Sequence, residues 1–240
     1  MARWIVLAAA VAVALAWRAP AHADAPSAIV FFGDSLTYGL HASAPERAFR
    51  AILTARLART RDAGPVLAFI QDPVGLLDDA QQKLPLVLAA RPALVFLELG
   101  HHEIWSDEEQ LARFEARYAD ILDRLLASGA EVIPATLSWL GAQPGSFAFE
   151  ASLRINAIIR RLAAERGLVV ADLWTPTVLR WEVLSTPADV SFVPPYTGDD
   201  LHPNDAGHRV LAEAFWKAYR EHRQRARLAI PWSLYGRGPR

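Results

Sequence analysis

A chain of 240 residues with 52% hydrophobic and 21% charged residues carries enough apolar material for one sizeable core, and its length suits one or at most two domains. Disordered, collagen-like and polytopic membrane classes are thereby excluded. The 25 Lys and Arg stand against 26 Asp and Glu, a formal net charge of −1 that gives no electrostatic basis for a nucleic-acid partner. Cys is absent, which removes disulfide frameworks, zinc–thiolate and iron–sulfur sites and a cysteine nucleophile together.

The first element is read as a secretory signal over residues 1–23. Arg3 supplies a positive start, Trp4 to Trp17 is an uninterrupted apolar run, and Ala21-His22-Ala23 has small residues at both recognition positions of a cleavage site. The apolar run is shorter than the roughly 20 residues that span a bilayer as a helix, so a retained anchor is the weaker reading. The expectation is a periplasmic or secreted protein whose domain occupies 24–240, with no stable membrane insertion once the signal is removed.

The rest alternates strand and helix. Ser27 to Phe32 is a short apolar strand ending at Gly33, and Pro45 to Arg59 places Phe49, Ile52, Leu53 and Leu57 at helical spacing. Val66 to Ile70 is then a strand and Leu76 to Ala90 a helix, with Pro85 as its candidate break point. Ala93 to Leu99 is followed by Asp107 to Ser128, Glu131 to Thr136 by Phe149 to Arg166, and Leu168 to Leu173, after a Pro-rich stretch, by Asn204 to His222. Several strands are continuously apolar, as expected when helices cover both faces of a parallel sheet. The pattern predicts a single doubly wound α/β domain with five parallel strands. In such sheets ligands bind beyond the carboxyl ends of the strands.

Two motifs fall there. Gly33-Asp34-Ser35-Leu36-Thr37 follows the first strand and presents a hydroxyl in a tight turn, which makes Ser35 a candidate nucleophile; the same residue type also caps helices. Asp199-Asp200-Leu201-His202-Pro203 follows the fifth strand and its loop, just before a helix start at Asn204. A serine attacks only when a base takes its proton and a third group fixes the base's tautomer. His202 is the candidate base and Asp199, three residues earlier, the candidate orienting acid. Taken singly, His202 also reads as a surface histidine beside a cap, and Asp199 and Asp200 as a solvated turn.

Taken together, these residues resemble the serine hydrolase superfamily known as GDSL or SGNH hydrolases. The likeness is carried by Phe31 to Leu40 and by Asp200-Leu201-His202-Pro203-Asn204 with Ala206-Gly207-His208, and Gly75 after the second strand falls where that family has a glycine. The resemblance implies a flavodoxin-like three-layer fold, hydrolysis of carboxylic esters or thioesters through an acyl-serine, and no metal or organic cofactor. Ser35 would be nucleophile, His202 base and Asp199 its acid. It further implies an oxyanion hole from the amides of Ser35 and Gly75 and an asparagine side chain in Gly-x-Asn-Asp after the third strand. Here that segment reads Gly100-His101-His102-Glu103, so His102 stands in the asparagine's place. An imidazole still has an N–H to give, and His102 is assigned as the third donor. The family's packing histidine corresponds to His208.

His101, His102 and Glu103, with His202 or His208, also suit zinc by residue type, but no metal site is assigned. His41 and His222 read as loop and surface residues, and Asn156 is given no role. Trp105, Ser138 to Gly141 and Phe192 to Tyr196 fall on the catalytic side, either as an apolar acyl pocket or as loop packing. The expected partner is a small ester, thioester, lipid or acetylated glycan. The alternatives are a glycan deacetylase using the same site, and a catalytically impaired binding protein on the same fold.

Overall fold

The computed structural model describes residues 28–62, 64–70, 77–139, 144–178 and 202–228. The signal expected over 1–23, Gly75, Asp199 and the segment Phe192 to Tyr196 lie outside the described residues.

Four parallel strands form one sheet in the order β2-β1-β3-β4: β1 Ala28–Gly33, β2 Val66–Ile70, β3 Pro92–Glu98 and β4 Glu131–Pro134. The chain begins in the middle, steps outward to β2, then returns past β1 to β3. That reversal puts the topological switch point between β1 and β3, where open α/β sheets bind ligands. The helices are α1 Ser35–Tyr38, α2 Phe49–Leu57, α3 Leu77–Ala89, α4 Glu108–Ala127, α5 Phe147–Glu165, helical residues at 174–178 (α6), and α7 Asp205–Leu228.

Every residue of β1 is buried, because successive side chains enter opposite cores. Val30 and Phe32 join Val95, Leu97 and Val132 against Leu84 of α3, Phe114 of α4 and Ile155 of α5. Ile29 and Phe31 join Leu94, Phe96 and Ile133 against Phe49 of α2 and Phe215 of α7. Continuous apolar strands are thus the signature of a three-layer sandwich, as the sequence predicts.

Apart from shifted element ends, such as the helix expected from Pro45 that begins at Phe49 after a 3-10 turn over Pro45–Arg47, the structure differs from the sequence reading in three places. The fifth strand expected over Leu168 to Leu173 makes a single parallel bridge, Ala171 to Ala135. Ala171 N donates to Pro134 O at 2.8 Å and Thr136 N to Ala171 O at 3.0 Å. Thr136 Oγ1 then takes the amides of Leu173 and Trp174, at 2.9 and 3.1 Å, and turns the chain into α6 before a ladder can extend. Second, α3 runs through Pro85 without a break. Pro85 lies on the exposed face, while buried Leu84 and Val87 fasten the helix on both sides of it. Third, α7 continues past His222 to Leu228, and Arg223 in its extension pairs with Asp62 at 2.7 Å and Glu131 at 2.6 Å.

Candidate active site

The turn after β1 is built tightly. A Cβ on Gly33 would stand 2.0 Å from Thr37 Oγ1 and 2.5 Å from Glu98 O, so only glycine lets β1 pass so close to α1 and β3. Asp34 caps α1, its Oδ1 accepting the Leu36 amide at 2.9 Å. Ser35 therefore opens a short helix at the switch point, partly exposed. Its Oγ lies 3.0 Å from Nε2 of His202, although 167 residues separate the two. His202 is held just ahead of α7, whose first turn is capped by Asn204: Oδ1 accepts the amides of Ala206 and Gly207 at 2.9 and 3.2 Å.

Beneath Ser35 lies a buried polar cluster that motif reading misses. His101, in a 3-10 turn His101–Trp105 that follows β3, points Nδ1 at Asp34 Oδ2, 3.3 Å away, and at Glu98 Oε1, 2.9 Å away. Only the Asp34 contact has hydrogen-bond geometry; Glu98 Oε1 is an ion-pair contact without a hydrogen-bond partner. The other oxygen of Glu98 accepts from Thr37 Oγ1 at 2.9 Å. Burial pulls the His101 imidazole down, but the carboxyls of Asp34 and Glu98 outweigh it and lift its pKa to about 10. Burial, reinforced by the Asp34 charge, pushes Glu98 up to about 7. Burial would raise Asp34 as well, yet the His101 charge and hydrogen bond leave it below the ordinary carboxylate value.

At Nε2 of His101, Ser138 offers a hydroxyl at 3.2 Å and an amide at 3.1 Å. The amide donates to a bare Nε2 and the hydroxyl oxygen can accept from a protonated one, while the two neighbouring carboxyls favour the protonated ring. His101 thus ties together the ends of β1, β3 and β4. The sequence signal for this cluster is Glu98 itself, a charged residue inside an otherwise apolar strand.

His102 sits in the same 3-10 turn, partly exposed, where His101 is buried. Glu103 is buried, its Oε1 accepting the Leu77 amide at 2.6 Å, and burial pushes it up to about 7. His208 accepts the Phe49 amide at Nδ1, 3.3 Å, and donates from Nε2 to Leu40 O, 3.1 Å. Burial lowers its pKa, consistent with that neutral tautomer. Of the side chains considered for zinc, His202 contacts Ser35, His208 the backbone and Glu103 the Leu77 amide. Among the described residues, the ligand-type side chains that converge are Asp34, Glu98 and His101, already in contact with one another. Asn156 accepts the Leu137 amide at 2.7 Å and so positions the loop after β4. Of the aromatic residues expected in an acyl pocket, Trp105 is 68% exposed and Trp139 is buried.

Comparison with known proteins agrees with this architecture. The model of the GDSL-like Lipase/Acylhydrolase family matches residues 31–210. An acetyl xylan esterase superposes with a TM-score of 0.65 at 20% identity, covering 80% of this chain and 98% of its own. The acetylxylan esterase Axe2 of Geobacillus stearothermophilus gives 0.62 at 17% identity, covering 81% and 94%. A member of the lipolytic protein G-D-S-L family from Veillonella parvula gives 0.64 at 16% identity, covering 80% and 98%. No curated protein matches the chain in sequence.

Proposed function

We propose that this chain, a serine ester hydrolase that belongs to the GDSL-like lipase/acylhydrolase family, is exported and cleaves carboxylic esters or thioesters through an acyl intermediate on Ser35. The observation that carries the reading is Ser35 Oγ at 3.0 Å from His202 Nε2. At that distance the imidazole takes the hydroxyl proton as Oγ attacks the acyl carbon. Asp199 would hold the opposite ring nitrogen, by its place in the motif. The oxyanion would receive hydrogen bonds from the amides of Ser35 and Gly75 and from His102. Collapse expels the alcohol or thiol with the proton His202 carries, and a water molecule then enters by the same route to free the acid and Ser35. The partner is a small ester, thioester, lipid or acetylated glycan.

The test uses protein from the exported fraction, whose intact mass should begin at Asp24. A fluorophosphonate should label Ser35, and Ser35→Ala should lower turnover of an aryl acetate by about a thousandfold or more. A folded wild-type protein that neither labels nor turns over would leave a binding protein as the correct reading. A mass that retains residues 1–23 would refute the cleavage.

One observation favours a narrower substrate, an acetylated glycan. Trp105 stands three residues beyond His102 and is 68% exposed, and an exposed indole can stack on a sugar ring. Comparing acetylated xylo-oligosaccharides with aryl and long-chain acyl esters, in the wild type and Trp105→Ala, separates the readings. A loss confined to the sugar esters supports the glycan.

A further inference from the structure

His41 belongs to no motif, yet its ring is stacked on that of His202, with centroids 5.5 Å apart and planes 17° from parallel. Its backbone is in the left-handed region, φ 62°, where side chains other than glycine are uncommon and asparagine, aspartate and histidine least so. Such a conformation persists only where the surroundings over-determine it, and here they do. On one side, Leu40 N donates to Ser35 O at 3.1 Å, and Leu40 O accepts from His208 Nε2 at 3.1 Å. On the other, Ser43 gives its amide and its hydroxyl to the two oxygens of Asp205, each at 2.8 Å. Arg47 reaches the same carboxylate, and Phe49 N closes the arc on His208 Nδ1. The loop from Leu40 to Phe49 is therefore sewn to α7 at its start, middle and end. The residue it sets against the ring of His202 is an exposed histidine.

We propose that His41 is a positioning residue for the base: its ring covers one face of the His202 imidazole and holds Nε2 toward Ser35. The inference rests on the reading of Ser35 and His202 as nucleophile and base. His202 lies at the end of a short link, His202-Pro203-Asn204, outside any helix. An offset aromatic stack adds to the restraint from Ser35 and from the hydrogen bond assigned to Asp199, and favours one ring orientation by roughly two- to tenfold. During attack His202 becomes an imidazolium, and an aromatic face against it stabilises that charge without competing for either nitrogen. His41 acts through His202 and touches neither the scissile bond nor the oxyanion.

The test is the rate at which a fluorophosphonate labels Ser35, together with kcat and KM on an aryl acetate, in His41→Ala, His41→Asn and His41→Phe. Asparagine tolerates the left-handed backbone and lacks the ring; phenylalanine keeps a ring and accepts the strain, which a lower melting temperature would register. The expected result is roughly tenfold slower labelling and kcat in the alanine and asparagine variants with KM little changed, and recovery to within about twofold in the phenylalanine variant. Wild-type labelling rates in both ringless variants would overturn the proposal, as would a phenylalanine variant no faster than alanine. Failure of the wild type itself to label would refute instead the nucleophile and base assignment.

Discussion

His102 is where the residue chemistry is most exposed to test. Motif register places it at the family's asparagine, and the fold places it in the 3-10 turn that leaves the switch point, next to a neighbour with a different task. His101 is buried and held by Asp34 and Ser138; His102 is partly exposed. The turn decides this division: two histidines adjacent in sequence point in different directions, and only one can reach solvent. If His102 supplies the third oxyanion donor, His102→Ala should lower kcat by about a hundredfold to a thousandfold, and His102→Asn should recover most of it, since an asparagine amide also donates. Steady-state kinetics on an aryl acetate reads the difference. Unchanged turnover in the alanine variant removes His102 from the oxyanion hole. The same contrast marks the limit of motif reading. Ser35 and His202 are visible as short motifs because their chemistry demands particular neighbours. Glu98 signals the cluster in the sequence, but its pairing with Asp34 follows only once β1 and β3 are known to be adjacent, because no local spacing links residue 34 to residue 98.

Among the elements, strands and helices were legible to the extent that burial is two-sided. β1, and β3 up to Glu98, are apolar because each feeds two cores, and α4 starts at the Asp107 capping box, with Gln110 returning the bond. The fifth strand had the right composition, but a side chain replaced its ladder: Thr136 takes two amides that a neighbouring strand would have used. The loop between α1 and α2 has no period to read, yet hydrogen bonds at its start, middle and end tie it to α7. Asp205 is its main anchor, and the Ser43 amide, the Arg47 guanidinium and the Ser43 hydroxyl hold its carboxyl well below the usual range. Asp205→Ala should therefore slacken the whole arc, moving His41 and the approach to α7 together. The expected outcome is a fall in kcat/KM of about tenfold, the scale of a small misplacement of catalytic groups. Ser43→Ala combined with Asp205→Ala should cost little more than Asp205→Ala alone, because both remove one contact. Additive losses would show that the two residues act separately.

For the molecule as a whole, the buried ionisable groups set the pH at which the fold is strongest. Glu103 is raised from an ordinary value near 4.5 to about 7, so between those limits the folded chain keeps a proton that the unfolded chain has lost. Stability associated with it is complete below the lower limit and lost as pH rises through the upper one. His101, raised from 6.5 to about 10, has the same sign over a later window: its contribution is full below 6.5 and disappears through about 10. Opposing them are carboxylates lowered by partners, Glu131 beside His222 and Arg223, and Asp123 beside Arg166. Their contribution is present above the ordinary carboxylate range and lost on acidification. The two trends leave the fold strongest in mildly acidic solution, declining through neutral into alkaline pH. Glu103→Gln isolates the first step, because a glutamine oxygen can still accept the Leu77 amide but has no proton to lose. Urea unfolding at pH 5, 6, 7 and 8 should show the wild type losing stability across this range by up to about 3 kcal/mol more than the variant, the equivalent of Glu103's shift. Parallel pH profiles would mean that Glu103 ionises in the folded chain as readily as in the unfolded one, and that its burial beneath the Leu77 amide costs nothing in charge.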